Sequence, residues 1–411
     1  MMRPAWALAA GVIALGACQE NLASPGDCPT LCPGEQIIVR DTAIDALASS
    51  DSSFFGYQSR AGRTALLIAN GLAAGEFRAF VVFPTIRSDS ITVDAVARAF
   101  TVDTAQIAFT LQSRDSTATN LRVYLRRIPI KSDTTLTYDS LTALIAAAPV
   151  FDSIMVPDTL KAGLIKVLFT GDRLALIQTP PEDSGRIGLA LTVQSVKPTG
   201  IRLEVDASAS TGAPLFQLRG RAEIADTTKR RQTVSVRPGA VDKYGYYGNL
   251  DLAATADPDL LYIGGPRSGR SIVRFSIPAF IRDSAQVLRA TLELTPARLL
   301  TGLPGAAIQD SVAVRGVQAD LGAKSPPLGV IGLQLAGLLA EGSQSLVRVD
   351  LIRLVAQWQA KGGPPQTVFL ADSDEPTGGS FMQPVFYSTR SASGQPRLRI
   401  TYGLPTRPGR P

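Results

Sequence analysis

Histidine, the side chain most used for proton transfer and metal ligation near neutral pH, is absent from this chain. Its absence removes every Ser/His/Asp and Cys/His nucleophile arrangement and every imidazole-ligated metal site, whatever the fold. What remains for catalysis is a carboxylate pair of the glycosidase kind or a Ser/Lys pair. No lysine stands in a Ser-x-x-Lys context at a helix start, and periodicity alone matches no carboxylate to a partner. No catalytic residue is assigned, and the expectation is a protein that is not an enzyme. The alternative of a polysaccharide-active enzyme rests on no identified residue.

The remaining candidates are binding residues. Tyr244, Tyr246 and Tyr247 crowd one aromatic-glycine stretch, and flat aromatic faces stack on the apolar faces of sugar rings. The same stretch also reads as a turn whose tyrosines pack on a sheet edge. Packing is favoured, because Phe54, Phe55 and Tyr57 stand at the corresponding point of an earlier repeat and phenylalanine offers no polar tip. Asp372, Asp374 and Glu375, like Asp257 and Asp259, offer oxygen ligands for a structural Ca²⁺. Solvated turn carboxylates account for them as well, and no calcium-loop spacing is present. No other cofactor is expected.

The three cysteines fall near the start. Residues 1–17 carry Arg3, then an apolar run too short to span a membrane, then small residues before Cys18. Leu15-Gly16-Ala17-Cys18 resembles the lipobox of bacterial lipoproteins. The resemblance implies cleavage before Cys18, a diacylglycerol on its thiol and an extracytoplasmic, membrane-anchored protein. Gln19, where sorting in Gram-negative bacteria would use Asp to retain the protein, implies the outer membrane. Cys28 and Cys32 then form an even pair in an oxidising compartment and are expected to close a local disulfide in a tether over 18–34. Two thiols without histidine do not complete a tetrahedral zinc site.

These residues need a scaffold, and the chain's 411 residues exceed one ordinary compact core. With 36 Gly, 28 Pro and many short Val/Ile/Leu/Thr runs between turn residues, the composition predicts an antiparallel all-β protein of sandwich type. The net charge of +6 is spread along strands rather than gathered in blocks, and no basic cluster with interleaved aromatics points to nucleic acid. Modest basicity of this kind suits a solvated face or an acidic polysaccharide.

The clearest strands are in 271–295. Val273, Phe275 and Ile277 alternate with Ile272, Arg274 and Ser276, and after a link over 279–287, Ala290, Leu292 and Leu294 alternate with Thr291, Glu293 and Thr295. The two read as a hairpin-like unit. It has an earlier counterpart in Ala79, Val81 and Phe83 with Ile107, Phe109 and Leu111. Other features recur in the same order. Val39-Arg40 and Ala43-Ile44-Asp45 return as Val236-Arg237 and Ala240-Val241-Asp242. The close Phe216/Leu218 returns as Leu398/Ile400.

The repeat predicts two tandem β-sandwich domains, 35–225 and 232–403, with a polar linker at 226–231 and a frayed tail over 404–411. A helix is expected after Asp350, where Leu351, Leu354, Val355 and Trp358 follow at amphipathic spacing before Gly362-Gly363. Leu141, Leu144 and Ile145 after Asp139 are a weaker candidate.

The second copy resembles the DNRLRE domains, which overlap the jelly-roll carbohydrate-binding modules of bacterial surface and polysaccharide-degrading proteins. The resemblance rests on Asp242 with Tyr247-Gly248, on Ile272-Val273-Arg274-Phe275-Ser276, and on Ala290-Thr291-Leu292-Glu293-Leu294. Asp350 with Trp358, Phe386-Tyr387-Ser388 and the close through Pro396-Arg397-Leu398 to Tyr402 complete it. The first copy lacks the Trp and the Phe-Tyr-Ser triplet. The resemblance implies two jelly-roll-like domains and a non-catalytic surface protein for binding or adhesion, with polysaccharide binding through the second domain. The alternative is a structural module contacting another envelope protein.

Overall fold

Short alternating runs between turn residues become strands almost everywhere they occur. The computed structural model describes residues 38–404 apart from 48–49, 57–63, 73–74, 86–87, 130–135, 178–184, 206–213, 239–243, 251–255, 301, 304–308, 329–333, 336–338, 341 and 373–378.

The first half contains β1 (Ile38–Asp45), β2 (Ser52–Phe54), β3 (Ala65–Leu72), β4 (Gly75–Phe83), β5 (Ser90–Val93), β6 (Val96–Arg114), β7 (Arg122–Arg127), α1 (Tyr138–Ala147), β8 (Val150–Met155), β9 (Gly163–Thr170), a 3-10 turn (Gly171–Ile177), β10 (Ile187–Gln194), β11 (Thr199–Glu204) and β12 (Leu215–Ala222). The second half contains β13 (Arg231–Val236), β14 (Tyr244–Gly248), β15 (Leu260–Tyr262), β16 (Arg270–Arg274), α2 (Ala279–Ser284), β17 (Gln286–Leu294), β18 (Gln309–Asp310), β19 (Val312–Gly316), β20 (Gln334–Leu335), β21 (Leu339–Ala340), β22 (Val347–Asp350), α3 (Ile352–Gln359), β23 (Thr367–Asp372), β24 (Val385–Tyr387) and β25 (Arg397–Leu404).

The protein is all-β and its sheets are antiparallel. A 12-stranded sheet runs β13-β12-β6-β11-β3-β4-β10-β7-β8, with β5 and β9 also on β6 and β14 also on β4. Phe77, Phe83, Phe109, Phe169 and Phe216 fill the core it encloses. A second core lies between the sheets β1-β25-β17-β22 and β2-β16-β23-β19-β20 and contains Val273, Phe275, Leu292, Val349, Trp358, Leu398 and Ile400. Facing sheets with interdigitated inner faces are the sandwich solution to one-sided strands.

The two halves share a wiring pattern. β6 carries β12 and β9 as β17 carries β25 and β22, and β4, β10 and β7 lie side by side as β16, β23 and β19 do. β3 pairs β11 as β15 pairs β24. The opening strands, however, are exchanged. β1 and β2, from the start of the chain, pair with β25 and β16 of the second half. β13 and β14, which open the second copy, pair with β12 and β4 of the first.

Four expectations are corrected by this wiring. Residues 38–54 complete the second core, so the expected first domain of 35–225 does not describe how its opening strands pack. Residues 226–231 are not a linker between sheets but the turn of the β12–β13 hairpin, held where Asp226 Oδ1 accepts from Thr228 N at 2.9 Å and Thr228 Oγ1 at 2.6 Å. A hairpin turn and a linker are both solvated and polar, so composition does not separate them.

The pair β16 and β17 is not a hairpin either: the chain crosses through α2, and the two strands lie in opposing sheets. Finally, Ile44 stands opposite Leu398 as Val236 stands opposite Phe216, so the Val-Arg matches that suggested the repeat are not in structural register.

Helix α3 forms where the spacing predicts it and buries Leu354, Val355 and Trp358; Asp350 Oδ1 accepts from Ile352 N at 2.9 Å, and Gly362 adopts φ +74° beyond its end. Helix α1 also forms, with a capping box between Thr137 and Ser140. The halves are packed together, not merely tethered. Leu303 and Phe381 enter the first core, Phe381 meeting Phe77 edge-on at 5.5 Å, while the adjacent Met382 is buried in the second.

Arg274 on β16 forms two bonds to the Asp320 carboxylate and donates to Ser50 O, tying the early segment to the second core. The Arg274 guanidinium holds the Asp320 carboxyl below the usual carboxylate range. A depressed carboxylate stabilises above its unfolded pKa and loses that contribution as pH falls through its folded value. Asp320→Asn should therefore cost about 1–3 kcal/mol near neutral pH. That cost should shrink as the pH falls below about 4, where the carboxylate of the unfolded chain protonates first and the folded one follows at its lower value. Urea unfolding of both proteins at pH 7 and pH 3 measures the difference.

Candidate functional site

On β7, Val123 and Leu125 turn into the core while Tyr124 and Arg126 turn outward, the alternation a one-sided strand requires. β10 lies between β7 and β4, with Thr192 opposite Tyr124 and Leu191 opposite Ala79. This register places Tyr124, Thr192 and Arg78 on the outer face of three adjacent strands. Helix α1 crosses the neighbouring part of that face, where Leu141 and Ile145 pack on Phe80 and Ala190. The helix covers the apolar part and leaves the polar part open.

The result is a groove of about 470 Å³, lined by Asn70, Arg78, Tyr124, Arg126, Thr142, Ile145, Ala146, Thr192, Val193 and Gln194. That volume is in the range of small-ligand sites. Amides from Asn70 and Gln194 and hydroxyls from Tyr124 and Thr192 can both donate and accept hydrogen bonds, which suits a polyhydroxylated ligand.

The two guanidinium groups differ. Arg78 is neutralised by Glu76 at 2.9 Å and also donates to Ala69 O at 3.3 Å. Tyr138 at the start of α1 donates its hydroxyl to the same Glu76 carboxylate at 2.8 Å, and its ring lies under Arg78. Burial, with the Glu76 hydrogen bond, pushes the Tyr138 phenol up, which keeps it a donor. Arg126 is half-buried and donates from Nη1 to Ala148 O at 2.7 Å. Its Nε is buried without a hydrogen-bond partner, and among the described residues no carboxylate pairs with it. A cation held partly out of water without a counter-charge favours an anionic group in the groove beside it.

The residues singled out from sequence lie elsewhere. Tyr244 and Tyr246 are only 5 and 4 % exposed and belong to the first core, with Tyr246 edge-on to Phe77 at 6.1 Å. Their faces are taken by protein and present no stacking surface to a sugar. Tyr247 is partly exposed, but its ring stacks on Phe80 at 6.0 Å in the small cluster beneath α1. None of the three tyrosines lines the groove, and they pack with the first half because β14 pairs with β4.

Asp372 closes β23, with its side chain against Gly264; Asp374 and Glu375 lie outside the described residues, as do Cys18, Cys28 and Cys32. Asp257 is a turn residue whose Oδ1 accepts from Asp259 N at 2.9 Å. Among the described residues no group of three or more Cys, Asp or Glu side chains is placed to hold a metal.

Sequence reading passed over Arg78, Tyr124 and Arg126. The signal for two of them was present in Arg122-Val123-Tyr124-Leu125-Arg126, whose alternation sends an aromatic and a cation to the same outward face. What it lacked was the helix that walls the groove.

The fold and groove define an all-β protein of sandwich type with a polar, cationic surface site. No protein-family model matches the chain, and no curated protein sequence matches it.

Truncating a buried ring costs stability whether or not a ligand exists. Tyr246→Ala should lower the unfolding free energy by about 3–5 kcal/mol in urea titration. Tyr124→Ala, on the solvated face, should cost well under half of that.

Proposed function

We propose that this is a non-catalytic, lipid-anchored extracytoplasmic protein of binding or adhesion, and that its ligand is a polysaccharide held in the groove beside α1. The observation that carries the reading is Arg126, a half-buried cation with no carboxylate partner among the described residues, set among amide and hydroxyl groups. The absence of histidine from the sequence and the motifs shared with DNRLRE domains support a binding role over a catalytic one. The lipobox-like Leu15-Gly16-Ala17-Cys18 and the following Gln19 support attachment to the outer membrane. The groove moves the proposed site from the second repeat to the first core.

A second reading, contact with another envelope protein, has one observation of its own. Among the described residues β9 pairs with β6 alone, and its outward side chains Leu164 and Leu168 are 59 and 49 % exposed. A strand edge without a second neighbour beside exposed leucines suits a protein partner.

Screening the purified protein against immobilised neutral and acidic polysaccharides separates the two readings. Retention on acidic polymers, weakened about tenfold or more in Arg126→Gln with the melting temperature unchanged, is the expected result. Uniformly absent glycan binding, together with a constant cross-linked protein partner lost in Leu168→Lys, would favour the second reading.

The anchor has its own test. Cys18→Ser should abolish metabolic labelling with palmitate and shift the protein from the membrane to the aqueous fraction.

A further inference from the structure

Residues 38–54 belong to the second core by hydrogen bonding but not by chain continuity. After β2 the chain enters the first core at β3, and it returns to the second only at β15. Covalently, the segment is a tethered ligand of the core it completes. It covers an end strand of each main sheet there: β1 runs along β25 from Ile38 opposite Leu404 to Asp45 opposite Arg397, and β2 runs along β16. Between them Ala46 N donates to Pro396 O at 3.0 Å and Leu47 N to Arg274 O at 2.9 Å.

Little of the segment is buried. The first four residues of β1 are exposed, whereas Leu398 and Ile400 on its partner are fully enclosed. Its hold consists mainly of a backbone ladder and solvent-exposed ion pairs, each of the latter worth about 0–1 kcal/mol. The fit is nonetheless specific. Asp45 pairs with Arg397 at 2.7 Å and Asp41 with Arg399 at 2.5 Å. Asp51, 1 % exposed, accepts from Thr389 N at 2.6 Å and pairs with Arg390 at 3.3 Å.

The chain carries a topological equivalent of this segment in β13. Placed in the β1 position, with Val236 where Ile44 stands, β13 would set Arg237 opposite Arg397 in place of Asp45. Like charges directly opposed across strands are unfavourable. The β25 edge is thus matched to a 38–54 segment and mismatched to the other opening strand of the same molecule.

We propose that residues 38–54 exchange between copies of this chain, so that the β25 and β16 edges, filled here by the chain's own segment, also accept the same segment of a second identical molecule. An exchanged pair keeps every hydrogen bond and ion pair described above, because each is made between the segment and the core it completes. The tether gives a molecule's own segment a high effective concentration, so exchange grows with protein concentration and proceeds at the rate at which the segment detaches.

Ala43 and Arg399 stand opposite each other in the β1–β25 ladder. The test mixes full-length chains carrying only Ala43→Cys with full-length chains carrying only Arg399→Cys, under mild oxidation, across a range of concentrations. A disulfide joining 43 to 399 in that mixture forms only between molecules, and peptide mass mapping identifies it. The expected result is a 43–399 link whose yield rises with concentration, in a dimer seen by native mass spectrometry. The double variant Ala43→Cys/Arg399→Cys, oxidised when dilute, should form the same link within one chain, which establishes that the pair is competent and folded. Ready intrachain linking in that control with no 43–399 link in the mixture at any concentration would overturn the proposal. So would a dimer held by other contacts. A chain with Asp45→Lys should release its segment more readily and accept a second copy's wild-type segment in its place.

Discussion

The backbone ladder between β1 and β25 is the constraint on which this architecture depends. A sheet that stops at β25 would present a row of unpaired N–H and C=O groups beside the buried Leu398 and Ile400. The chain satisfies that edge with its own beginning, and it satisfies the corresponding edge at β12 with β13, from the middle. Closure of the β12 edge is a local hairpin, but closure of the second core is a long-range event. Residues 38–45 find their partners at 397–404, across most of the chain, and such non-local pairing is entropically costly and slow to form.

That crossing has a consequence for rigidity. Phe381 in the first core and Met382 in the second anchor one adjacent pair of side chains in both. A groove built on β4, β7, β10 and α1 thus rests on a sheet whose β14 strand comes from the second half. Tyr247 shows the coupling at one residue: its place in sequence is the second repeat, and its ring stacks on Phe80 in the cluster that α1 covers.

Much of the fold was legible because periodicity reports burial directly. Val273, Phe275, Leu292, Leu398 and Ile400 are core residues as their alternation indicates, and Leu354, Val355 and Trp358 are buried as their helical spacing indicates. The candidate site was less legible. Clustered tyrosines drew attention because aromatic side chains stack on sugars, but the same rings are equally good core material, and burial decides between the two. Arg126 drew none, because its character comes from what surrounds it. On an open strand it would be one more solvated arginine; beside α1 it is half-buried and, among the described residues, held by Ala148 O.

Composition and local order alone establish the fold class, the one-sided strands, helix α3 and the exclusion of histidine chemistry. Only the tertiary structure decided which strand closes which core, that 226–231 is a turn, that β16 and β17 face each other across a core, and that a groove exists at all. The physical reason is that alternation fixes which face of a strand is buried, whereas the edge it offers is uniform backbone. The choice of neighbour is then left to chain reach and to cross-strand charges such as Asp45 against Arg397.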